Sequence, residues 1–283
     1  MDQPADIVVL SPHLDDAVMA VGGMISREIA QGRTVEIWTC FTDGPAIETI
    51  PTAQRVLGDY VARREEDRRA VAVLGAKHRW LDLHERIWRD PPLHQEHHIF
   101  RGPPNLEGFT ELPALRVIAR ELILGRSKFF APLGVGHHHD HLEVALAVLL
   151  EMLSLRRFDR VHFYEDPYAH GGRCRRDHFL TRRRRWKPWA APAWASPRIG
   201  ALLFAAAMCS HGPQLEDYVP EATRLPWSYT DAPVDLDDER RKLAAVAEYT
   251  TQVKAFGGMP AVSAFMRQVH VALNGEPIWQ VQT

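Results

Sequence analysis

The stretch Ile7-Val8-Val9-Leu10-Ser11-Pro12-His13-Leu14-Asp15-Asp16 decides how the rest of the chain is read. Four apolar residues in an unbroken run, ended by Ser11-Pro12, predict a short strand buried on both faces. Helix-period apolar positions over residues 17–30, closed by Gly32, predict the helix that follows. A strand that passes through a polar turn into a helix is the start of a βα unit, and the pattern recurs downstream. Residues 34–41 predict a second strand with the turn Thr42-Asp43-Gly44 behind it, and residues 63–74 a helix stopped by Gly75. Further on, residues 111–124 predict a helix, 128–132 a strand, 140–153 a helix and 160–164 a strand. Such alternation predicts an α/β, Rossmann-like fold, a mostly parallel sheet flanked by helices, with its site at the carboxyl ends of the strands. Residues 237–255 and 260–272 read as closing helices. Residues 171–200 mix Gly, Pro, Trp and Arg without periodicity and read as an insertion or long loop. With no repeat and no linker, residues 1–283 are expected to form a single domain.

Composition narrows the function. The 283 residues are 46% hydrophobic and 25% charged, with a net charge of −2, so nothing draws the whole chain to nucleic acid. The one basic cluster, Arg173, Arg175, Arg176, Arg182 to Arg185 and Lys187 with Trp186 and Trp189, reads as a solvated loop with its tryptophans folded back. Cys40, Cys174 and Cys209 are scattered and encode neither a disulfide framework nor a thiolate zinc site. The start lacks the basic segment of a secretory signal, and no apolar run reaches the roughly 18 residues of a membrane span. A cytoplasmic, soluble protein is expected. No G-x-G-x-x-G follows the first strand, so a dinucleotide's pyrophosphate would meet carboxylates there.

Seven of the 15 histidines fall in two groups, His94, His97, His98 and His137, His138, His139, His141. The first lies in a Pro-rich stretch and reads as part of a rim. The second, Gly134-Val135-Gly136-His137-His138-His139-Asp140-His141, follows a predicted strand and opens a helix, just as His13-Leu14-Asp15-Asp16 does. Unpaired carboxylates at a buried strand end are costly to desolvate. Capping of the helix by Asp15 or Asp16 is the plainer use for them. Two histidines and one carboxylate, His13, Asp16 and His141, match the three-ligand set of a catalytic zinc with a position left for water; Fe(II) suits the same donors. Asp15 then serves as general base toward that water. His138, supported by Asp140, stabilises the oxyanion and protonates the leaving nitrogen.

The pair of motifs, PHLDD early and GHHHDH far downstream, resembles the PIG-L/LmbE-like zinc-dependent de-N-acetylases, whose motifs are usually written (A/P)HPDDE and HxDH. The resemblance implies metal ligands at His13, Asp16 and His141, a general base at Asp15, a catalytic His138 supported by Asp140, and substrate contacts at Arg63 and Glu85. It extends to Gly22-Gly23, the Arg63-to-Gly75 helix, Phe163-Tyr164-Glu165-Asp166 and the late helix with Tyr249. Leu14 and Ala17 depart from the family's Pro and Glu, so a carboxylate beside the metal is missing. The expected activity is hydrolysis of the N-acetyl amide of an N-acetylglucosamine-type sugar or glycoconjugate, with a small-molecule substrate and no nucleic-acid partner. A metal-dependent phosphoesterase and a catalytically silent binding protein are the alternatives.

Overall fold

The computed structural model describes residues 3–52, 55–170, 172–184, 196–209 and 212–283. Strands β1 (Ile7–Ser11), β2 (Val35–Asp43), β3 (Lys77–His84), β4 (Lys128–Pro132), β5 (Val161–Tyr164), β6 (Trp227–Ala232) and β7 (Glu276–Val281) form one sheet in the order β3-β2-β1-β4-β5-β7-β6. The first five run parallel, β7 is antiparallel to β5, and β6 is antiparallel to β7. Apolar runs become the central strands because such residues, with no polar face, are shielded only where helices cover both sides of a sheet. Ile7 and Val9 accordingly pack with Val18 and Ile25 of α1 (Asp16–Ala30) and Val71 of α2 (Tyr60–Leu74). Val8 and Leu10 belong to the opposite layer, with Leu115 of α3 (Leu112–Leu124) and Leu142 and Leu146 of α4 (His139–Leu155).

Strands β1 and β4 are neighbours, yet the helices they feed lie on opposite faces of the sheet. Chain leaving two adjacent strand ends in opposite directions opens a crevice at their carboxyl ends. Both histidine-bearing loops emerge there. Three later helices, α5 (Pro197–Cys209), α6 (Leu236–Ala247) and α7 (Met259–Leu273), complete the main elements.

The structure bears out the α/β sheet and departs from the sequence expectations in its edges. Strand β3, Lys-His-Arg-Trp-Leu-Asp-Leu-His, is largely exposed, and its charged residues suit an edge that must not pair with another chain. Strand β7 opens with Glu276 and Pro277, which break the apolar pattern. Residues 237–255 divide into α6 and a short helix, Thr250–Ala255, where Glu66 accepts the Thr251 N–H at 3.0 Å. The expected loop at 171–200 contains the helix Gly172–Asp177 and the start of α5. Within its basic cluster, Arg185, Trp186, Lys187 and Trp189 lie outside the described residues.

A buried ion pair ties the last strand to the first helix. Val21 leaves helical geometry (φ −128°), and Glu276 accepts the N–H groups of Gly23 and Met24 at 3.0 and 2.7 Å. A Cβ at Gly23 would stand 2.7 Å from Val234, so glycine is what permits this close approach. Lys242 of α6 donates to Glu276 at 2.6 Å. Burial pushes the Glu276 carboxyl up, but Lys242 and His270 outweigh it and hold it at about 2. A depressed carboxyl contributes stability above its unfolded pKa, lost as pH falls toward the folded value. Glu276→Gln leaves Lys242 buried without its counter-charge and should cost about 3–5 kcal/mol at pH 7 in urea titrations. The gap to wild type should narrow as pH drops from about 4.5 toward 2.

Candidate active site

Each motif is shaped locally before it meets the other. Ser11 Oγ accepts the Ala17 N–H at 3.0 Å and donates to the His13 carbonyl at 2.7 Å, so Ser11 does the capping work that the sequence offered to Asp15 or Asp16. The Asp15 side chain makes no capping bond. Asp16 turns back instead, and its Oδ2 accepts the His13 N–H at 2.9 Å. In the second motif Gly136 (φ +94°) leaves room for Tyr168, whose Cβ would lie 2.3 Å from any Cβ added there. His138 then stands at the N-cap position of α4 without a side-chain capping bond, and its ring lies 4.9 Å from that of His141.

The two loops meet. His13 Nδ1 and His141 Nε2 each lie 3.0 Å from Asp16 Oδ2 and 3.3 Å from one another. The far nitrogen of each ring is held by a carboxylate: His13 Nε2 donates to Asp140 at 3.1 Å and His141 Nδ1 to Asp166 at 2.5 Å. An imidazole that gives its proton to an outer carboxylate turns a lone pair inward. With those two inner nitrogens deprotonated, as metal binding requires, three donors would converge at close to the roughly 3.3 Å that a tetrahedral zinc with bonds of about 2.0–2.1 Å sets between its ligands. The triangle fits a small divalent cation. A wider grouping, His13, His138 and His141, also has its ligand atoms within 4.8 Å of one another.

Charge favours a cation as well. Six buried carboxylates surround the crevice (Asp15, Asp16, Glu85, Asp140, Glu143 and Asp166), against the guanidinium groups of Arg63 and Arg89. Burial and then the Asp16 charge raise Asp15 to about 7. Burial opposes the charged form of His141 too, yet Asp16 and Asp166 outweigh it and lift the ring to about 9. Burial, with the charges of His13 and His141, drives His138 well below its ordinary value.

Every site residue singled out from the sequence lies at this crevice. His13, Asp15, Asp16, Arg63, Glu85 and His138 line one cavity, and Arg63 donates to Glu85 at 2.6 Å. Asp140 differs from expectation in its partner. Its carboxylate takes His13, the Arg86 N–H at 3.1 Å and the Arg89 guanidinium; among the described residues, His138 Nδ1 has no hydrogen-bond partner. Stacking by Tyr168, with ring centroids 5.9 Å apart, and the edge of Phe100 hold His138 instead. Three residues were not assigned from sequence. Asp166 stands just past β5, where the strand-end rule pointed; Arg89 and its second partner Glu143 (2.8 Å) carried no local signal.

Fold and crevice together give an α/β sheet protein with a buried His and carboxylate cluster at its strand ends that could hold a metal ion. The family model described as PIG-L, GlcNAc-PI de-N-acetylase, matches residues 8–152, and the chain belongs to that family. It is an amide hydrolase of the N-deacetylase class. Among solved structures it is similar to the A40926 pseudoaglycone deacetylase Dbv21, at 21% identity over 99% of this chain and 98% of that one, with a TM-score of 0.63. The zinc-inhibited form of teicoplanin deacetylase Orf2 matches at 19% identity over 98% and 97%, with a TM-score of 0.65. The conserved protein TT1542 from Thermus thermophilus matches at 16% over 99% and 95%, with a TM-score of 0.51. No curated protein matches the chain.

Removing an outer carboxylate should loosen the site without emptying it. Asp166→Asn and Asp140→Asn should each weaken zinc binding about 10- to 100-fold in competitive titrations, whereas Asp15→Asn should leave it within a few-fold. Equal losses in all three would contradict the arrangement.

Proposed function

We propose that the chain removes the N-acetyl group from an acetamido sugar or glycoconjugate with one divalent cation, zinc or Fe(II), held by His13, Asp16 and His141. What supports this best is the triangle of possible ligand atoms, drawn from two loops more than a hundred residues apart and oriented by Asp140 and Asp166. A cation bound there supplies Lewis-acid polarisation of the amide carbonyl and of water. Asp15, raised to about 7 by burial and Asp16, takes the proton as water adds to the carbonyl carbon. His138, kept neutral by burial, donates an N–H to the developing oxyanion. The proton held by Asp15 then passes to the leaving nitrogen as the C–N bond breaks, giving acetate and a free amine. Glu85, fixed by Arg63, accepts a sugar hydroxyl. This assignment revises the role expected of His138, since the group placed to carry the proton is Asp15.

A two-cation phosphoesterase fits less well. The other grouping of possible donors, His13, Glu85 and Asp140, shares His13 with the first, and its carboxylates are already occupied by Arg63 and Arg89. Purified protein should hold about one equivalent of divalent metal, lost in a His13→Ala, Asp16→Ala double variant. Asp15→Asn should keep the metal and lose about 100- to 10,000-fold in kcat on N-acetylglucosamine conjugates. Full metal occupancy in the double variant would show the ligand assignment to be wrong.

A further inference from the structure

The cavity above His13 and Asp16 runs along the carboxyl edge of the sheet, from Glu85 just past β3 to Pro277 in β7, with a volume of about 360 Å³. Its two ends differ in chemistry. Toward β3 it presents Asp15 and the Arg63–Glu85 ion pair. Toward β7 its walls are mostly hydrocarbon, Ile199 and Leu203 of α5 and Val262, Phe265, Met266 and Val269 of α7, with the rings of His170 and His270 among them. The four α7 residues fall at i, i+3, i+4 and i+7, so they form one apolar stripe, about 10 Å long at 1.5 Å per residue. The charged groups of this arm neutralise one another, Lys242 with Glu276 at 2.6 Å and Glu165 with Arg175. The methyl of an acetyl group fills little of such a space.

A trans amide sends its carbon and nitrogen substituents in opposite directions. An amide centred on the donor triangle, with its hydroxylated amine half at Arg63 and Glu85, directs its acyl half into the hydrocarbon arm. We infer that the cavity between α5 and α7 is an acyl-chain subsite, and that the substrates of this enzyme include N-acyl amino sugars with a medium-length fatty acyl group. The inference rests on the amide-hydrolase reading above. The bond changes are the same: water adds to the acyl carbon, the C–N bond breaks, and a fatty acid and an amine leave.

The test is calorimetric titration of zinc-loaded Asp15→Asn protein with N-acetylglucosamine and N-octanoylglucosamine, with kcat/KM measured for both on wild type. A fully buried methylene strengthens binding about fourfold, so the octanoyl compound should bind about 30-fold tighter or more even when only part of the chain is buried. Adding the shape-conserving pair Val262→Thr and Met266→Gln, with folding checked by circular dichroism, should reduce that ratio about tenfold. A ratio near one, or a ratio the pair leaves intact, overturns the subsite. Cleavage of the acetyl compound with a ratio near one removes the acyl arm and leaves the deacetylase reading standing. Tight octanoyl binding with neither compound cleaved by wild type supports the arm and counts against the hydrolase mechanism.

Discussion

Three donor atoms brought to one point from two distant loops are the constraint around which this structure is organised. His13 Nδ1, Asp16 Oδ2 and His141 Nε2 sit at mutual distances of 3.0 to 3.3 Å in a buried crevice, where the Asp16 charge favours positive charge on the facing His141 ring and a bound cation would take its place. The fold supplies the convergence by placing β1 beside β4 and sending α1 and α4 to opposite faces.

Orientation comes from further out. Asp140 and Asp166 take one nitrogen from each imidazole, and both carboxylates are themselves pinned. Asp166 accepts the Val135 N–H at 2.9 Å; Asp140 is held by Arg89, which also donates to Glu143. Glu143 in turn accepts the Glu111 N–H at 2.6 Å, so the loop after β3, α3 and α4 all act on the tilt of His13. Ala17, where the family usually has glutamate, is buried in the apolar layer shared with Val18 and Ile25.

Much of this was legible because it is local. Strands β1, β2, β4 and β5 announce themselves as apolar runs, and the two histidine-bearing loops follow strand ends where polar clusters stand out. Edges were harder to read: β3 carries the polarity of a loop, and β7 begins with Glu276 and Pro277 for reasons that appear only when Lys242, Gly23 and Met24 are seen around the carboxylate. The partner of Asp140 was unreadable for the same reason. Sequence spacing places Asp140 near His138, but the contact that wins is with a histidine 127 residues away. Helix α5 was hidden in a stretch without clean periodicity, and with it the apolar wall of the cavity.

X-ray absorption fine structure at the zinc edge of the loaded protein tests the convergence directly. The account predicts nitrogen and oxygen neighbours at about 2.0–2.1 Å, with outer-shell scattering from two imidazoles. Sulfur in the first shell, or the signature of one or three imidazoles, would mean that the cation sits elsewhere than between His13, Asp16 and His141.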